Sequence, residues 1–345
     1  MSEIRAAIAD LVEGRFLDPE RLEAAFDEIM DGRSTPAGAA GLLVALRMKG
    51  ETAAEIVAVA RALRSRAAKV GSCDPRTLDT CGTGGSGLDT FNISTTAALV
   101  VAGAGVPVAK HGNRAVSSRS GSFDVLEALG VRIDLPLETC ARILADVGIA
   151  PFFARTAHPA FRHLAPVRAE LGVRTVLNCL GPLLSPVGAR RQVVGVYSEA
   201  LVEPLAEALL ALGASRGLVV HGDDGLDELT TTASNSAAWL ADGRIERLRI
   251  DPEALGLPRA TLEDLSGGDP ETNARIVREV LSGTPGPRRD IVLLNAAAAL
   301  WVADVVSSLE EGLARAARSI DEGAAAKKLE ALRAATVRAG ERLAT

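Results

Sequence analysis

The sequence predicts an α/β protein with a small all-helical N-terminal domain and a larger α/β domain built on a mostly parallel central sheet. Three observations carry this prediction. The first seventy residues hold only helical signals. Short β-branched runs then alternate with helical segments up to residue 222. A glycine-rich stretch, CGTGGSGLDTFNIST at 81–95, joins the first of those runs to the first of those helices.

In the helical part, Asp18 with Pro19 forms an N-cap and N1 pair, and Gly32 closes that helix. Thr35 and Pro36 open a second helix that Gly50 ends, and Thr52 with Glu55 forms a capping box for a third. In that third helix Ile56, Val59, Ala60 and Leu63 recur at helical spacing. The predicted strands are TLDTC (77–81), VPVAK (106–110), VRI (131–133), IAPFF (149–153), QVVGVY (192–197) and GLVVHG (217–222), with helices around 95–104, 123–129, 137–147 and 199–212. Asp242-Gly243 then joins AAWL to RIERLRI as a hairpin, and the C-terminal part returns to helices, one running from Asp269-Pro270 to Gly283. In such sheets ligands sit at the carboxyl ends of the strands.

The bulk numbers exclude several classes. A net charge of −6 argues against nucleic acid as a partner, because phosphate backbones need a basic surface. Cys73, Cys81, Cys140 and Cys179 show no C-x-x-C spacing, which predicts free thiols in a reducing compartment. The N-terminus has no apolar signal region, and the apolar runs 96–109 and 291–303 are too short or too interrupted to span a bilayer. A cytoplasmic protein with no membrane partner is expected.

Gly82, Gly84 and Gly87 satisfy the dinucleotide spacing G-x-G-x-x-G, but the acidic residue expected about 20 positions later is missing. That region reads VPVAKHGNR and is basic; a Walker A loop is excluded because no Gly-Lys-Ser/Thr follows. Thr90, Ser94 and Thr95 surround Asn92 at the start of a helix, where free N–H groups and the dipole favour an anion. One cap needs one hydroxyl, so a phosphate or pyrophosphate accounts for the surplus better than capping alone. The second strand ends in AKHGNRAVSSRSGS, a basic and hydroxyl-rich loop that is either solvated surface or the other half of a bipartite anion site. After a later strand, Asp223, Asp224, Asp227 and Glu228 form an acidic turn. Such a turn is often mere surface, but opposite a phosphate site it suits Mg²⁺, which is held by one or two carboxylates plus phosphate oxygens.

Taken together, GTGG followed by TFNIST, KHGNR-x-V-S-S with Ser-Gly-Ser, and HGDDGLDE resemble the anthranilate phosphoribosyltransferase family. HPAF, PVRAELGVRT, LGPL and the GVY strand extend the likeness in register to about residue 310. The resemblance implies a homodimer, a helical domain over 1–70 that gains an inserted piece around 165–190, and an α/β domain over 71–345 that binds 5-phosphoribosyl 1-diphosphate. The reaction implied is transfer of the 5-phosphoribosyl group to the amine of anthranilate, the second step of L-tryptophan biosynthesis from chorismate. The cofactor implied is Mg²⁺, two ions per subunit.

Carried over by motif position, Gly82 lies where the two substrates meet, and Gly85 and Ser86 line the donor. Thr90 and the stretch Asn92, Ile93, Ser94 and Thr95 hold the donor, with Ser94 also reaching one Mg²⁺. Lys110, His111, Gly112, Asn113 and Arg114 wrap its phosphates and ribose, continued by Ala115, Val116, Ser117 and Ser118, and Ser122 adds a contact. Asn113 and Arg168 match the anthranilate-binding positions, with His111 and His158 beside the acceptor path. Asp227 and Glu228 match the metal carboxylates. No side chain is expected as general base; Lys110 and Mg²⁺ stabilise charge instead. The family usually carries Asp where this chain has Ser86, Met where it has Phe161, and Asn where it has Ser185. The readings kept beside this one are a pyrimidine nucleoside phosphorylase of the same fold, a transferase for a modified aminobenzoate, and a non-catalytic nucleic-acid-binding paralogue. The first lacks KHGNR and the last needs a basic surface.

Overall fold

The computed structural model describes residues 2–68, 70, 71, 73–115 and 119–344. The N-terminal helices are α1 (Glu3–Val12), α2 (Pro19–Met30), α3 (Pro36–Lys49) and α4 (Ala53–Arg64). Their starts follow from local chemistry. The Asp18 side chain accepts from the Glu20 N–H, and Thr35 from the Gly38 N–H, each ahead of a proline whose fixed φ suits the first turn. Thr52 and Glu55 form a reciprocal capping box. Glu55 does more than cap: its buried carboxylate also receives Lys49 Nζ at 2.7 Å and the Leu17 N–H, so one side chain ties together the starts and ends of three helices.

The sheet has seven strands: β1 (Leu78–Asp79), β2 (Val108–Gly112), β3 (Ile149–Phe153), β4 (Arg191–Gly195), β5 (Arg216–Gly222), β6 (Asn235–Ala241) and β7 (Arg244–Ile250). Their spatial order is β3-β2-β1-β4-β5-β6-β7. The first five are parallel, and β6 and β7 append an antiparallel hairpin. Its turn has positive φ at both Asp242 and Gly243, as a two-residue loop between right-twisted strands requires. Between and after the strands lie α5 (Ile93–Gly103), α6 (Ser122–Ala128), α7 (Leu137–Val147), α8 (Ala154–Ala157), α9 (Ala165–Leu171), α10 (Val202–Ala211), α11 (Pro270–Leu281), α12 (Pro287–Val302), α13 (Leu309–Asp321) and α14 (Ala324–Ala344).

Alternation along the strands divides the core in two. Val193, Leu218, Val220 and Ala237 face α5, α7, α12 and the C-terminal helices. Val194, Val219, Ala238 and Leu240 face α10, the N-terminal helices and the segment 164–184. The N-terminal helices thus share an apolar core with one face of the sheet.

One predicted strand is absent. VRI (131–133) is an extended connection between Gly130, with φ +84°, and α7. Val131 and Ile133 are buried in the helical layer, and the Arg132 N–H donates to Thr336 Oγ1 of α14, not to a neighbouring strand. The central β1 is shorter than TLDTC suggests, because the chain leaves the sheet at Thr80 to enter the glycine loop. All four cysteines are free. Among the described residues, no helix is long and apolar enough to cross a membrane.

Candidate active site

Parallel strands place the loops that follow β1, β2, β3, β4 and β5 at one sheet edge, so the three motif loops converge there. The glycine loop after β1 turns on Gly84, Gly85 and Gly87, all at positive φ. It is moored to the end of β4: the Thr83 N–H donates to Gly195 O (2.8 Å), and the Tyr197 N–H donates to Thr83 Oγ1 (3.2 Å). Gly195 itself lies so close to the acidic turn that a methyl group there would overlap the Asp227 carbonyl.

At the end of the loop, Thr90 bridges to Ser266, and Asn92 occupies the N-cap of α5 without capping it. The Asn92 amide instead donates to Ser120 O (3.2 Å) and accepts from Asn273 Nδ2 (2.9 Å), tying the first loop to the second. The Asn92 side chain leaves the α5 N–H groups uncapped, and the Ile93 N–H turns back to Phe91 O (2.8 Å). The next N–H, that of Ser94, donates to Glu228 Oε1 at 3.2 Å. The Ile93 side chain is in the core, and Thr95 Oγ1 is buried without a hydrogen-bond partner among the described residues.

In the second loop, Lys110 is buried and donates to Thr80 O (2.8 Å), while the His111 N–H reaches Asp79 Oδ1 (3.2 Å). Asp79, a site residue that the sequence did not single out, is fully buried, and that burial raises its carboxyl to about 7 despite the nearby lysine. Its only outward signal is a charge inside an apolar strand. Gly112 and Asn113 lead into the turn, where Ser122 Oγ donates to Asn113 O (3.3 Å). Arg114 is committed to Glu127 (2.6 Å) and Asp124 (3.4 Å). Asp124 also accepts the Ala115 and Gly121 N–H groups. Val116, Ser117 and Ser118 lie outside the described residues.

The acidic turn sorts its four carboxylates. Asp223 pairs with Arg249 (2.9 Å). Asp224 folds back onto the Leu226 N–H (3.0 Å) and the Thr230 hydroxyl (2.7 Å). Asp227 and Glu228 remain for the cleft: the Ser86 hydroxyl lies near enough to Asp227 to favour its charged form, and the Ser94 N–H meets Glu228. Burial raises both carboxyls, Glu228 to about 7 with a second push from the Asp227 charge. Two adjacent carboxylates and a serine hydroxyl are hard oxygen donors, and their mutual repulsion is what a divalent cation relieves. The residues fit Mg²⁺.

The third wall follows β3. His158 lies 5.5 Å ring to ring from His111 and 6.1 Å from Phe161. Burial pushes His111 down to about 3 and His158 to about 4, so both rings are neutral at pH 7 and neither stores a proton. Arg168 on α9 is half-buried, and its guanidinium has no carboxylate partner among the described residues. Arg174, also missed by the sequence reading though it stands in PVRAELGVRT, donates to Gly85 O and lies 4.4 Å over the Tyr197 ring. Ser185 accepts the Ala189 N–H (3.3 Å) in its own buried turn.

A helical bundle ahead of a sheet whose edge gathers a glycine loop, a basic loop and paired carboxylates defines a glycosyl-transferring enzyme. Residues 74–326 match the glycosyl transferase family a/b domain, and residues 5–67 the helical bundle domain of the same family. The chain is 51% identical over 335 residues to the anthranilate phosphoribosyltransferase of Symbiobacterium thermophilum, covering 97% of this chain and 98% of that one. The crystal structure of the Thermus thermophilus anthranilate phosphoribosyltransferase superposes with a TM-score of 0.91 at 46% identity, over 97% and 99% of the two chains. The Saccharomyces cerevisiae enzyme in complex with PRPP and Mg gives 0.90 at 29% identity, over 97% and 98%. This chain belongs to the anthranilate phosphoribosyltransferase family.

Proposed function

We propose that this chain transfers the 5-phosphoribosyl group of PRPP to the amine of anthranilate, releasing diphosphate, in tryptophan biosynthesis. One observation carries the reading: the Ser94–Glu228 contact brings a helix N-terminus rich in neutral donors against a carboxylate pair at the sheet edge. Neutral donors suit the phosphates, and the carboxylates suit the cation that accompanies them.

Cleavage at the ribose C1 builds oxocarbenium-like charge on the sugar while a multiply charged diphosphate departs. The glycine loop, with Gly82, Gly85 and Ser86, lines the donor; Thr90, Asn92, Ser94 and the α5 amides hold its phosphates. Lys110 contributes a fixed positive charge in a water-poor setting, where preorganised electrostatics count most. Asp227, Glu228 and Ser94 would hold Mg²⁺, two ions per subunit, and the bound metal would supply positive charge opposite the departing diphosphate. The aromatic amine of anthranilate is neutral at pH 7 and attacks without a strong base, in keeping with two neutral histidines at its path. Arg168, whose charge meets no acid among the described residues, forks onto the acceptor carboxylate next to Asn113.

Exposed Val12, Phe16 and Met48 on the helical part support a homodimer through that surface. The shared core of α1–α4 with 164–184 supports a helical domain over 1–70 completed by the piece around 165–190, with 71–345 as the donor-binding domain.

Fluorescence-monitored consumption of anthranilate with PRPP and Mg²⁺ tests the reaction; no turnover at high enzyme concentration sinks it. Arg168→Ala is expected to raise the anthranilate KM about 10- to 100-fold, the worth of a charged hydrogen-bond pair. If it weakens only the donor, the acceptor is misplaced. Ser86→Asp exchanges a neutral hydroxyl near Asp227 for a third carboxylate, and is expected to lower the half-saturating Mg²⁺ concentration about tenfold by added ligand charge. An unchanged Mg²⁺ response would show that position 86 does not tune the metal.

A further inference from the structure

The acidic turn presents two repelling carboxylates side by side, and residue 229, which follows them, has no strand neighbour to hold its backbone. Its partner comes from 66 residues away. Asn295, buried in the middle of α12, accepts the Leu229 N–H on Oδ1 (3.1 Å) and donates from Nδ2 to Leu229 O (2.8 Å). A second Nδ2 bond goes to Ile291 O (2.9 Å), which fixes the amide on its own helix. One side chain thus does for Leu229 what a neighbouring strand does in a ladder.

Asn295 also lines, with Thr80, Gly82, Ser94 and Glu228, a cavity of about 10 Å³, room for roughly one water. On the far side of the turn, Asp224 grips the Leu226 N–H and the Thr230 hydroxyl. Asp227 and Glu228 therefore lie between two anchors. The Asp224 anchor is local to the turn, whereas Asn295 connects it to a helix of the core.

We propose that Asn295 is a positioning residue that holds Glu228 at the α5 N-terminus, in place to bind the metal. The proposal rests on the reading of Glu228 as a metal carboxylate. A neutral amide is the side chain the position needs: it supplies a donor and an acceptor together, and it adds no charge beside Glu228.

The test uses Asn295→Ala in the full chain. Mn²⁺ binding is followed by electron paramagnetic resonance with inorganic diphosphate present, and the Mg²⁺ dependence of the rate is followed at saturating substrates. The expected result is a rise of about tenfold in half-saturating metal in both measurements, with the anthranilate KM changed less than twofold. A purely structural role lowers the melting temperature and leaves metal half-saturation where it was; that outcome overturns the proposal. If Asn295→Ala does not fold, Asn295→Leu carries the same test, because it keeps the size and adds no charge but loses the acceptor and both donor bonds. Glu228→Gln separates the two readings. If Glu228→Gln leaves metal binding unchanged, the metal assignment fails; if it weakens binding and the Asn295 variants do not, only the positioning role fails.

Discussion

Glu228→Gln is expected to lower kcat/KM about 10²–10³-fold, the usual loss when one preorganised electrostatic group is removed from a transition-state site. The change preserves shape and still lets an oxygen accept the Ser94 N–H, so the α5 N-terminus keeps its geometry. What disappears is the charge beside Asp227. The fold is expected to be unharmed or slightly firmer, since the charged form is opposed by burial and by a like neighbour. Steady-state kinetics beside a thermal melt checks both halves. A variant that loses activity only in step with its stability would contradict the assignment.

Gly195→Ala is expected to injure the site through the backbone. A methyl at residue 195 overlaps the Asp227 carbonyl, and the close neighbours are main-chain atoms of the turn with no rotamer in which to escape. Overpacking of this kind costs about 3 kcal/mol. The turn must also retreat from the end of β4, and a shift of about 1 Å in a catalytic group can remove about 10²-fold in rate. Chemical denaturation and kinetics together test this. Near-native values for both would mean that β4 and the acidic turn are free to separate.

Much of this was legible in the chain, for reasons that differ by level. Caps are local: Asp18, Thr35 and the Thr52–Glu55 box act within a few residues, and each works as read. The alternation of strand and helix likewise pointed to the parallel sheet, and with it the convergence of the three loops. VRI misled because valine and isoleucine favour any apolar layer, and here the layer is helical. The acidic turn was readable as a group but not in its division of labour. Asp223 is taken by an arginine 26 residues away, which no local pattern announces. Asn295 was silent for the same reason. An asparagine among alanines has no periodic signature, and its role exists only when α12 meets Leu229. Arg174 and Asp79 stood inside stretches already noticed, yet only the third dimension shows one on Gly85 and the other beneath His111.

The apolar core that α10 shares with both the N-terminal helices and one face of the sheet has a consequence for how the molecule comes apart. Leu42, Leu46 and Ile56 belong to the same contiguous cluster as Val194 and Val219. A fragment cut near residue 70 would bare a hydrophobic wall on each piece, so neither half keeps its native solvation alone. Melting is therefore coupled across the whole chain: loosening the bundle strips cover from strands that carry the loops of the site. Stability in this enzyme is a shared property of two lobes, and damage to the bundle far from the chemistry is felt at the sheet edge.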